Sequence, residues 1–108
     1  MTIVPISETF SVSEQLEVSD VAVLKAKGVE VLICNRPDGE AAGQTRFDTI
    51  QAAAAELGIT AHHIPFEPGK FTANDCAAFA QVLSEGKVTH AYCRTGRRSQ
   101  TIYTAAVG

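Results

Sequence analysis

Val88-Thr89-His90-Ala91-Tyr92-Cys93-Arg94-Thr95-Gly96-Arg97-Arg98-Ser99 decides how the rest of the chain is read. Lys87 to Tyr92 is a β-favouring run with Val88 and Tyr92 as its bulky members. Gly96 supplies the backbone freedom for a tight turn, and the residues from Arg98 to Ala106 can wind into a helix. Such a turn aims backbone N–H groups at one point beside a helix N-terminus, which makes an anion site. Cys93 sits in the same field, which favours the thiolate, the attacking form. Arg98 supplies a planar fork for a substrate oxyanion, and Arg94, Thr95, Gly96 and Arg97 complete the anion-binding loop. A buried structural cysteine followed by a basic turn is the plain alternative.

Charge points to the same place. Residues 1–86 carry five cations and all twelve acids, a balance of −7, whereas residues 87–108 carry Lys87, Arg94, Arg97, Arg98 and no acid. The positive charge is therefore concentrated at the Cys93 turn, where it attracts a small anionic substrate. With an acidic remainder and no interleaving of basic and aromatic residues, nucleic acid is not an expected partner. At 108 residues, 45% hydrophobic and 19% charged, the chain reads as one folded domain. No apolar run approaches the roughly 18–20 residues needed to span a bilayer, so the expectation is a cytoplasmic protein without membrane contact. Cys34, Cys76 and Cys93 lack CxxC spacing, and His62 and His63 point to opposite faces of one strand. No metal and no cofactor are expected; the oligomeric state is open.

Outward from the turn, the elements alternate. Phe10–Ser13 reads as a short edge strand, and Ser19 or Asp20 as the cap of a helix over Val21–Ala26 that Gly28 closes. Val29–Cys34 is a buried strand, with Cys34 as ordinary packing. Asn35-Arg36-Pro37-Asp38-Gly39-Glu40 leaves its carboxyl end as a turn, where ligands bind in open α/β sheets, so Arg36, Asp38 and Glu40 either face the Cys93 turn or form a solvated polar turn. A helix over Gln44–Leu57 carries Phe47, Ile50, Ala54 and Leu57 on one stripe. Ile59–Ile64 is another strand. The Pro65–Lys70 loop holds Glu67, and Thr72 or Asn74 caps a helix to Leu83. Alternation of this kind predicts an α/β fold, a small, mainly parallel sheet flanked by helices. The final helix ends at Gly108, which leaves open a domain trimmed at its C-terminus or a small last helix.

Asn35-Arg36-Pro37-Asp38-Gly39-Glu40, Ile64-Pro65 and Tyr92-Cys93-Arg94-Thr95-Gly96-Arg97-Arg98-Ser99, in this order, resemble the bacterial phosphatase-like domain of β-lactamase-hydrolase-like proteins. That family is related to dual-specificity tyrosine phosphatases, and the resemblance covers nearly the whole chain. It implies a protein-tyrosine-phosphatase-like fold of the dual-specificity type over residues 1–108, with Cys93 as nucleophile and Arg98 as oxyanion binder. Ser99 matches the hydroxyl that assists the cysteine as leaving group. Two features depart from phosphatases. They enclose one residue more than the Arg94–Arg97 found here, and they carry a histidine where Tyr92 stands. A four-residue insert is what rhodanese-type sulfurtransferases use.

Two enzymes and one silent module follow. A phosphatase forms a cysteinyl-phosphate on Cys93 and needs a carboxylic acid for the leaving group, for which Asp38 and Glu67 are the candidates. A sulfurtransferase carries a persulfide on Cys93 and needs no such acid. The third reading is a catalytically silent anion-binding module.

Overall fold

A computed structural model describes all 108 residues, Met1–Gly108. The chain runs β1 (Val4–Pro5), β2 (Phe10–Ser13), α1 (Val18–Ala26), β3 (Val31–Cys34), α2 (Phe47–Glu56), β4 (Thr60–His63), α3 (Ala73–Leu83), β5 (Thr89–Tyr92) and α4 (Arg97–Val107). The sheet order is β1-β2-β5-β3-β4. The β2–β5, β5–β3 and β3–β4 pairs are parallel, and only the β1–β2 pair is antiparallel. The expected mainly parallel α/β architecture is therefore present. Phe10–Ser13 is not an edge: Val4 and Pro5 pair with Val12 and Ser11 and cover it.

Alternation along the strands divides the core into two layers. Leu32, Cys34 and Tyr92 face one side, where they pack with Val21 and Leu24 of α1 and Ile50 and Ala54 of α2. Val31, Ile33, Phe10, Val12 and Ala91 face the other, with Phe79 and Val82 of α3 and Ile102 of α4. Both faces of the sheet are thus covered, which is why β3 is apolar at every position and fully buried.

Three boundaries differ from expectation, each through a cap. Glu17 caps α1, in place of Ser19 or Asp20, and Asp20 closes the capping box from the third helical position. Helix α2 starts at Phe47 because the Asp38 side chain, far back in the preceding turn, accepts the Phe47 N–H at 2.8 Å. Helix α4 starts at Arg97, not after it, with Gly96 as its cap at φ 96°. At the far end of the α2 stripe, Leu57 lies beyond the helix and is 37% exposed. Thr72 caps α3 as expected, in a reciprocal box with Asp75.

Candidate functional site

All four parallel strands end on the same side of the sheet, and the segments leaving their carboxyl ends meet there. The segment after β5 is the Cys93 loop. The Cys93 N–H reaches the Ser13 carbonyl at 3.4 Å, and the Gln15 N–H reaches the Arg94 carbonyl at the same distance, so β2 guides the chain into the turn. Gly96 then reverses it. Its left-handed φ favours glycine, and a Cβ would lie 3.3 Å from the Ser13 carbonyl oxygen, so backbone torsion and space both favour glycine here. In that conformation the Gly96 N–H donates to Cys93 Sγ at 3.0 Å. The thiol is fully buried.

Arg98, at the second position of α4, is 7% exposed, and its fork is already occupied. Its two terminal nitrogens donate to the two oxygens of Glu40, each at 2.8 Å, and one of them also donates to the Phe66 carbonyl at 3.1 Å. Glu40 belongs to the turn after β3, and Phe66 to the loop after β4. Arg36 closes the ring: its Nε donates to Glu40 at 2.9 Å and another nitrogen donates to Gln15 Oε1 at 3.1 Å. Hydrogen bonds from Arg98 and Arg36 hold the Glu40 carboxyl below its usual range, and the same carboxylate keeps Arg98 charged.

Arg36, Glu40, Ala41, Pro68, Arg94, Thr95, Arg97 and Arg98 line a depression of about 480 Å³ above this ring. Of the site residues expected from sequence, the loop Arg94–Arg98 and Arg36 thus come together, and Cys93 lies buried within the same loop. Ser99 is buried at the start of α4, and its hydroxyl has no hydrogen-bond partner. The two candidate acids do not line the depression. Asp38 Oδ1 accepts from the α2 N-terminus, and Glu67 is exposed and pairs with Lys70 at 3.1 Å. The carboxylate that does reach the depression is Glu40. Its place in the turn is legible, but its partner lies 58 residues away.

Beneath the loop, His90 is fully buried with Nδ1 2.7 Å from Ser11 Oγ and Nε2 2.8 Å from Ser13 Oγ. The Ser13 hydroxyl donates to the Glu14 carbonyl, so its oxygen accepts from Nε2–H, and Nδ1 accepts from Ser11. Burial holds this histidine neutral, its pKa pulled down to about 4. His90 thus braces β2 against β5, the strand that leads into Cys93, through the Ser11 and Ser13 hydroxyls.

Comparison with known proteins places this arrangement. The model of the phosphatase-like domain of beta-lactamase hydrolase-like proteins matches residues 3–108. The beta-lactamase hydrolase-like protein of Agrobacterium fabrum is 33% identical over 104 residues; they are 95% of this chain and 24% of that protein. The chain thus spans about a quarter of the curated relatives it matches. A solved structure from Neisseria meningitidis, described as a "putative phosphatase", superposes with a TM-score of 0.86 at 31% identity, over 95% of this chain and 74% of the other. Kinase associated phosphatase superposes with a TM-score of 0.67 at 17% identity, over 81% and 57%, and shares the fold. The fold is protein-tyrosine-phosphatase-like.

Proposed function

The chain belongs to the phosphatase-like domain family of the beta-lactamase hydrolase-like proteins, and on that premise we propose that it is a cysteine-dependent phosphatase acting on phosphomonoesters. The observation that carries the reading is the loop itself: a cysteine sulfur that accepts the Gly96 amide at a helix N-terminus, beside a guanidinium fixed at the loop mouth. Cys93 Sγ attacks phosphorus as the ester P–O bond breaks, and the leaving alkoxide takes up a proton. The equatorial oxygens are stabilised by loop amides and by the Arg98 donors that Glu40 and Phe66 leave free, Nε–H and one N–H of the second terminal nitrogen. Water then cleaves the S–P bond and releases phosphate, and the Ser99 hydroxyl assists the departing sulfur. Because Asp38 and Glu67 are engaged elsewhere and Glu40 is held as a carboxylate, that first proton comes from water. Substrates with acidic leaving groups are therefore favoured.

A second reading has its own support in the four-residue insert and in the absence of a free carboxylic acid from the depression. Cys93 Sγ would take the sulfane sulfur of thiosulfate, forming an S–S bond and releasing sulfite, and a thiol or cyanide would remove the outer sulfur. One experiment separates the readings: p-nitrophenyl phosphate hydrolysis and, separately, thiocyanate formation from thiosulfate and cyanide, each with wild type and Cys93→Ser. Cys93-dependent release of p-nitrophenol is the expected result. Thiocyanate formation alone would replace the phosphatase with a sulfurtransferase. Neither product would leave a silent anion-binding module.

A further inference from the structure

Four guanidinium groups line the depression, Arg36, Arg94, Arg97 and Arg98, against the single carboxylate of Glu40. The four differ in what neutralises them. Arg36 and Arg98 share Glu40, and Arg46, elsewhere on the surface, has Asp38 and Asp48. Arg94 and Arg97 are the only arginines with no carboxylate within 4.0 Å, and their side chains make no hydrogen bond. Both are exposed and flank the loop on which the transferred group sits. One oxyanion on the loop, next to Arg98, leaves these two charges unanswered. The remaining lining is Ala41, Pro68 and Thr95, with no aromatic side chain for an aryl group to stack on. A volume of about 480 Å³ suits a small molecule.

We infer that the substrate is a compact polyanion: one oxyanion occupies the Cys93 loop and a second, covalently linked anionic group is held by Arg94 and Arg97. This rests on the reading that the Cys93 loop holds the group to be transferred, and it specifies the substrate class. The second group is a phosphate or a carboxylate, both of which accept the paired donors of a guanidinium. Arg94 and Arg97 are then specificity determinants: they select for a second charge, and Arg98 serves the reacting one.

The test is binding, so it does not depend on turnover. Isothermal titration compares inorganic phosphate, pyrophosphate and 2-phosphoglycolate on wild type, Arg94→Gln/Arg97→Gln, and Lys25→Gln/Lys27→Gln. The last pair removes the same charge from around the end of α1, outside the depression. Pyrophosphate, phosphoglycolate or both should bind wild type at least about tenfold tighter than phosphate. Whichever gains identifies the second group. That ratio should fall to about twofold in the double arginine variant and persist in the double lysine variant. Equal affinity for all three anions overturns the inference, as does a ratio that survives loss of both arginines or falls equally with the lysines. If the ratio holds and neither p-nitrophenol nor thiocyanate forms, the proposed chemistry fails and this selectivity stands. If turnover occurs without the ratio, the selectivity alone fails. If no anion binds, both fall.

Discussion

Two turns leave neighbouring strands of one sheet, and each starts at a cysteine. Cys34 ends β3 opposite Tyr92, so Cys93 stands one residue beyond the same rung of the ladder. Both sulfurs are buried. In the first turn the Cys34 thiol donates to the Arg36 carbonyl at 3.4 Å, and burial pushes its pKa up to about 11. In the second, the chain curls back and presents the Gly96 N–H to Cys93 at 3.0 Å, with a helix starting directly behind it. The residue type and the place in the sheet are shared. What differs is the backbone group that faces the sulfur, a carbonyl in one turn and an amide in the other, and on that difference rests the proposal that Cys34 packs and Cys93 attacks. The turns are also complementary in charge: the first sends Glu40 across to hold the Arg98 of the second.

The comparison breaks most sharply at the cysteines. Cys93→Ser should lower turnover by about a thousandfold or more. Cys34→Ala should change turnover less than about threefold while lowering stability by about 1–2 kcal/mol, through the small cavity it leaves. Steady-state kinetics and urea denaturation of both variants check this; equal losses of turnover would erase the distinction. The arginines come next. Arg98→Lys keeps the charge but loses the fork, and turnover should fall by roughly a hundredfold. Arg36 lines the depression but its Nε is committed to Glu40, so Arg36→Lys should cost roughly threefold to tenfold. A larger effect at Arg36 would move the working guanidinium to the other turn.

The smallest effect lies along the pH axis. His90 has a folded pKa of about 4 against an ordinary 6.5, so the unfolded chain binds its proton first. Its stabilising contribution is present above 6.5 and is lost as pH falls towards 4. Glu40 is also depressed, from 4.5, and its contribution is lost only at lower pH, as Arg98 and Arg36 give up a carboxylate partner. Thermal midpoints should therefore fall in two stages on acidification. His90→Gln should flatten the first stage and Glu40→Gln the second; a single stage abolished by either variant would contradict the separation.

Much of this was open to reading in the sequence. The apolar run at Val31–Cys34 and the Cys-Arg-Thr-Gly-Arg-Arg-Ser turn report local physics, burial and turn chemistry, and both sit where their composition puts them. What escaped was long-range. Val4–Pro5 is too short to leave a period-two signal, so β2 looked like an edge. Asp38 looked like a proton donor because nothing nearby reveals that it caps a helix starting at Phe47. Glu40 could be placed near the loop but not on Arg98, since that contact depends on how β3 and β5 pair and on where the turn then folds. The Phe66 carbonyl carries no residue-type signal at all.

The same two-residue strand has a consequence for how this domain behaves in a crowd. A sheet edge is a template on which another molecule can add a strand and begin an aggregate. On one border that template is Val4–Pro5, of which Pro5 has no N–H to offer. On the other it is Thr60–His63, four residues long and followed at once by Ile64-Pro65. Neither border gives an incoming chain a long ladder to extend. The all-apolar strand β3 is kept inside the sheet, paired on both sides by β5 and β4.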